Sequence, residues 1–167
     1  MFEHDKSVVL NEMVAETTES GRTYKTPDGI NLPSITTVLS ILSRDSIAKW
    51  RKRVGEKEAN RVSYRASTRG TSVHEICEKY VDNDPDYDKF MATDINTGEQ
   101  KLTTRTPDLI DSFLKIKPIL DERLGVVYAQ EAPLYSTHLG LAGRVDCVGI
   151  FDGKLSIIDY KTSMKPK

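Results

Sequence analysis

The chain of 167 residues is 38% hydrophobic and 29% charged, which suits one globular domain large enough to bury a core. Its 24 basic and 25 acidic residues leave a net charge of −1, which excludes a general polycation, so any nucleic-acid contact must come from a local patch. Two cysteines are too few for a disulfide framework or a four-cysteine zinc or iron–sulfur site; with neither a signal-peptide pattern nor an apolar run of membrane-spanning length, a reducing cytoplasm and no membrane partner are expected.

Residues 1–20 read as a loose polar lead-in to a single domain over 21–167. Arg22 to Leu32 predicts a short hairpin turning at Pro27-Asp28-Gly29. Ser34 is a natural N-cap for a helix that carries Ile35, Val38, Leu39 and Leu42 at helical spacing. Nine basic residues then fall between Arg44 and Arg69 against Asp45, Glu56 and Glu58, a run that fits either a solvated helical face or a phosphate-contacting surface. A second helix is expected over Gly70–Val81 from the stripe Val73, Ile76, Cys77, Tyr80 and Val81, with His74 at its border, where a histidine is commonly a packing or surface residue.

Residues 82–105 read as a polar connection whose aspartates lack the glycine and terminal glutamate of a calcium loop. Thr106-Pro107-Asp108 starts a helix, and Pro118 should kink or end it. Val126 to Tyr135 is a strand, and Ser136 to Gly140 turns it into the next. Asp152-Gly153 is a two-residue hairpin turn, since a type I′ turn needs positive φ at both central positions.

If Phe151 pairs with Lys154, Asp146 faces Asp159 and Arg144 faces Lys161; pairing Ser136 with Leu141 sets Glu131 across from Asp146. Neighbouring strands lie about 4.8 Å apart, so Glu131, Asp146 and Asp159 form one row. Directly opposed like charges destabilise a sheet unless a cation sits between them. Val148, Ile150, Leu155 and Ile157 share that face, which implies a partly covered surface rather than an exposed ion-pair lattice. Oxygen ligands in this arrangement suit Mg2+ or Mn2+, and a lysine beside them suits metal-assisted hydrolysis of a phosphodiester.

Gly143-Arg-Val-Asp146 followed by Ile157-Ile-Asp159-Tyr-Lys161-Thr-Ser resembles the Asp…(Asp/Glu)-x-Lys core of the PD-(D/E)xK nuclease superfamily. The likeness is closer to its RecB-type branch of phage and mitochondrial genome maintenance exonucleases. Leu32-Pro-Ser-Ile-Thr-Thr-Val-Leu resembles that branch's entry motif, Arg69-Gly-Thr-Ser-Val-His74-Glu its Gly-x-x-x-His helix, and Glu131 the glutamate of its first sheet motif. The resemblance runs from about Arg22 onward. It implies an α/β (mixed α+β), restriction-endonuclease-like core with a mainly antiparallel three-strand segment flanked by helices. It also implies metal ligation by His74, Asp146, Asp159 and the Tyr160 carbonyl, with Lys161 as the catalytic lysine and Glu131 in the metal shell or in activating the nucleophile.

The same likeness favours the phosphate reading of Arg61, Arg65 and Arg69; Ser34, at its helix N-terminus, is positioned to donate to a phosphate, though capping alone accounts for it. The expected substrate is DNA with a free end or a single-stranded stretch, in recombination, repair or replication, for a phage-encoded protein acting in the host cytoplasm. The branch continues beyond the lysine strand into a helix with a Gln-x-x-x-Tyr motif that this chain, ending at Lys167, does not contain, so the fold is expected to be truncated at its C-terminus. The competing expectation is a catalytically inactive nucleic-acid-binding module that keeps the nuclease fold.

Overall fold

A computed structural model describes residues 1–162. In chain order it contains β1 (Val14–Thr18), β2 (Gly21–Lys25), β3 (Asn31–Pro33), α1 (Ile35–Val54), α2 (Glu56–Val81), β4 (Lys89–Thr93) and β5 (Gln100–Thr104). There follow α3 (Pro107–Leu114), α4 (Lys117–Arg123), β6 (Leu124–Ser136), β7 (Leu141–Phe151) and β8 (Lys154–Ile158). The class is mixed α+β, with three antiparallel sheets ordered β1-β2-β3, β4-β5 and β6-β7-β8.

The third sheet positions the site. Asp152 and Gly153 both take positive φ, 51° and 74°, and Phe151 pairs with Lys154, the register expected of a type I′ turn. Ser136 pairs with Leu141, and Gln130↔Cys147 and Ala132↔Val145 bracket Glu131 opposite Asp146. The β7–β8 ladder ends at Cys147↔Ile158, one pair short of Asp146 and Asp159. The better covered residues are Cys147, Gly149 and Tyr160, whereas Leu155 and Ile157 are 70% and 66% exposed, so the cover expected over those two is not present among the described residues.

Helix α2 packs its apolar stripe into the main core. Val73, Ile76, Cys77 and Val81 join Phe113, Leu120, Leu124, Val127, Cys147 and Tyr160 in one buried cluster. Tyr80 and Tyr87 meet Phe113 with ring centroids 5.2 and 5.4 Å apart, the spacing of favourable aromatic pairs. A smaller cluster of Met13, Tyr24, Leu32 and Ala142 ties the first sheet to β7. Ser34 caps α1 through the Thr36 amide and forms a bridge with Ala142, which seats the start of α1 on β7.

Four further expectations change. Helix α2 begins at Glu56, not near Gly70: Gly55 (φ 85°) breaks the chain after α1, and the basic stretch that follows is helical with no apolar stripe of its own, helped by the Glu58–Arg61 pair. Residues 82–105 hold the β4–β5 hairpin, whose strands are too exposed and polar to show an alternating pattern. Residues 1–20 are not loose throughout: β1 pairs with β2, Phe2 packs on the core, and His4 bridges Val127. Helix α1 forms from Ile35, but among the described residues none of its side chains is fully buried, so the spacing of Ile35, Val38, Leu39 and Leu42 marks a helix without a buried stripe.

Phe113 lies at the meeting point of α2, α3 and the aromatic cluster with no exposed surface. Phe113→Ala should cost about 3–5 kcal/mol, read as a lower urea midpoint at unchanged slope. A loss under about 1 kcal/mol would mean that this cluster does not hold the fold together.

Candidate metal centre

Three side chains with ligand atoms converge among the described residues: His74 from α2, Glu131 from β6 and Asp146 from β7, all within 4.8 Å of one another. Each is half-buried. Burial of Val73, Ile76 and Cys77 fixes how α2 lies on the sheet, and this brings His74 Nδ1 to 3.4 Å from Asp146 Oδ2. Glu131 adopts φ 46°, a left-handed conformation unusual for a residue with a side chain.

Tyr160 ties the cluster together through its backbone. Its N–H donates to Asp146 Oδ2 at 2.6 Å, and its carbonyl helps hold the His74 proton. Its ring stands edge-on to His74 with centroids 5.9 Å apart and is buried against the main core. Burial drives the thiols of Cys77 and Cys147 up to about 12 and about 11, so both are inert packing groups rather than ligands or nucleophiles.

The electrostatics show a site short of positive charge. The Asp146 hydrogen bond, reinforced by its charge and by the Tyr160 carbonyl, raises the His74 pKa against the effect of burial. Burial acts to raise Asp146, but hydrogen bonds from His74 and the Tyr160 N–H, with the charges of His74 and Lys161, hold its carboxyl below the usual range. Glu78, one turn beyond His74, is pushed up by burial and then by the negative charges of Glu131, Asp82 and Glu75, with Arg144 opposing. These groups open onto a cleft of about 400 Å³ lined by Thr71, His74, Glu75, Glu78, Glu131, Arg144 and Asp146. Two carboxylates and an imidazole facing a common opening are a donor set that fits a divalent cation.

The other expected site residues lie elsewhere. Asp159 is outside the converging trio and pairs with Lys161 at 2.5 Å, both side chains more than half exposed. Lys161 is nonetheless close enough for its charge to act on Asp146 and His74. Arg61 is exposed and held by Glu58, Arg65 is exposed, and Arg69 is half-buried with its Nε lacking a partner. Ser34 is 2% exposed and serves as a helix cap. Ser163, which follows Lys161-Thr162 in the motif, lies outside the described residues. Sequence reasoning passed over Glu78, although its spacing of four residues from His74 puts the two on one helix face.

No helix among the described residues is long and apolar enough to cross a membrane. No family model matches the chain. Over 146 residues, 81% of its length, it is 27% identical to the human protein named mitochondrial genome maintenance exonuclease 1, and it spans 38% of that relative.

The raised His74 pKa sets the sign of a pH effect. The protonated imidazole stabilises the metal-free fold fully below its ordinary value of 6.5, and this contribution is lost as pH rises through the folded value. In metal-free protein the His74 ring should titrate above 6.5 by NMR, and Asp146→Asn should bring it back down. An unchanged His74 titration in that variant would disprove the pairing.

Proposed function

We propose that this chain is a divalent-metal-dependent nuclease, specifically a DNA exonuclease that hydrolyses phosphodiester bonds at free or single-stranded ends in recombination, repair or replication. The observation that carries this reading is the convergence of His74, Glu131 and Asp146 at an open cleft. The similarity to a protein named an exonuclease supports it. Sequence order supports it too, since Asp146 is followed by Asp159-Tyr160-Lys161 on the next strand's exit.

In this mechanism His74, Glu131 and Asp146 would hold Mg2+ or Mn2+, with the Tyr160 carbonyl, and Asp159 once turned from Lys161, as further ligands. A bound ion would supply Lewis-acid polarisation of the scissile phosphate. Asp146 stays ionised because His74 and the Tyr160 N–H stabilise its negative form, and the same contacts fix its direction. Glu131, on the cleft wall, can accept a proton from an attacking water. Lys161 offsets negative charge that builds on the phosphate oxygens, its field already reaching Asp146. One observation favours the alternative of an inactive binding module: Asp159 and Lys161 point at each other in solvent rather than into the trio.

The deciding experiment is digestion of end-labelled single- and double-stranded DNA with Mg2+, Mn2+ or EDTA. Product should appear only with metal, Asp146→Asn or Lys161→Ala should cut the rate about a hundredfold or more, and the exposed Lys161→Ala should do so at unchanged thermal stability. Metal-independent cleavage, or full activity in either variant, would overturn the site assignment. DNA binding without any metal-dependent cleavage would leave the binding module.

A further inference from the structure

Charge is segregated along this chain. The stretch from Arg44 to Arg69 holds nine cations and three acids in a molecule of net charge −1, so the remainder is strongly acidic. In the structure its second half is the N-terminal part of α2, and α2 runs without a break from there into the cleft. At 3.6 residues per turn, Lys57, Arg61, Tyr64, Thr68, Thr71 and Glu75 fall in one row along that helix. All six are exposed, and Thr71 and Glu75 already line the cleft beside His74.

Tyr64 is the unusual member. It is 74% exposed, with a cation one turn before it and Arg65 next to it. Arg61 is held by Glu58 at 2.6 and 2.8 Å, whereas Lys57, Tyr64 and Arg65 have no hydrogen-bond or ion-pair partner among the described residues. An aromatic ring with no packing role, set among cations on a rigid helix, matches the stacking platforms of single-strand binders: the ring takes an unpaired base and the cations take phosphates. Tyr64 and His74 are separated by ten residues, about 15 Å of helix, room for several nucleotides at about 3.4 Å each.

We infer that the exposed row on α2 is a track for single-stranded nucleic acid, with Tyr64 stacking on a base and Lys57, Arg61 and Arg65 on the backbone, leading the strand to the His74–Glu131–Asp146 cleft. The inference rests on the nuclease reading and adds to it the path by which a strand approaches the cleft and the residues that hold it. It also divides the expected arginines: Arg61 lies in the row and the exposed Arg65 flanks it about 100° around the helix from Tyr64, while Arg69, about 140° around and half-buried, does not belong to the track.

Binding of a fluorescent twenty-nucleotide oligo-dT to the whole chain in EDTA, followed by anisotropy, tests this apart from cleavage. Tyr64→Ala should weaken binding about tenfold or more while Tyr64→Phe stays within about twofold, since stacking needs the ring and not the hydroxyl. Tyr135→Ala, which removes a partly exposed aromatic from β6, should change nothing. Lys57→Gln with Arg65→Gln should flatten the salt dependence by a log–log slope of about 1.4. Equal binding by wild type and Tyr64→Ala would overturn the track and leave the nuclease reading standing if the wild type cleaves DNA. An equal loss of binding to a blunt duplex would overturn the single-strand preference, and a wild type that neither binds nor cleaves would remove both readings.

Discussion

Burial of one apolar stripe on α2 is the constraint from which the rest follows. Val73, Ile76, Cys77 and Val81 have no exposed surface, and all four pack in the cluster that holds Val127, Cys147 and Tyr160. Because side chains on a helix are fixed in angle relative to one another, seating that stripe also seats His74 over Asp146 and Glu78 beside Glu131. The chemistry of the cleft is thus set by hydrophobic packing a few ångströms behind it. Tyr160 joins the two layers, with its ring in the core and its peptide groups on Asp146 and His74.

The cleft concentrates acid where a folded protein would otherwise avoid it. Asp146, Glu131, Glu75 and Glu78 share one opening, with Arg144 the cation on its wall. Glu131 sits there in a left-handed backbone conformation that only the surrounding ladder sustains. Crowded carboxylates and local backbone strain both oppose folding, and a bound cation would relieve the first. The basic half of α2 lies at the other end of the same helix, so one rigid element joins regions of opposite charge. That polarity suits a polyanion whose reacting end must reach a cation.

Much of this arrangement is legible in the sequence because a hairpin obeys simple arithmetic. Asp152-Gly153 fixes which residues of β7 and β8 face each other, and the loop before Leu141 does the same for β6. The arithmetic fails where the ladder stops. After Ile158 the chain leaves the strand, the Tyr160 amide takes the Asp146 oxygen, and Asp159 turns to Lys161. Sequence periodicity cannot register that exchange, because it depends on one backbone hydrogen bond in three dimensions. The first half of α2 and the β4–β5 hairpin escape notice for another reason: apart from Ala59 neither buries a residue, so no buried face imposes a pattern on them. His74 is ambiguous alone, since only its neighbour on another element tells a packing histidine from a ligand.

Arg123 grips the turn from outside. It pairs with Asp152 and lies over the Phe151 ring at 4.5 Å, so the hairpin tip is pinned to the end of α4. Side chains in a strand alternate with a period of two, and a slip of one residue would carry Cys147 or Val145 to the position of Asp146. The hairpin tip therefore acts as a reading frame for the cleft. An insertion or deletion of a single residue there would scramble the cleft without touching any residue in it.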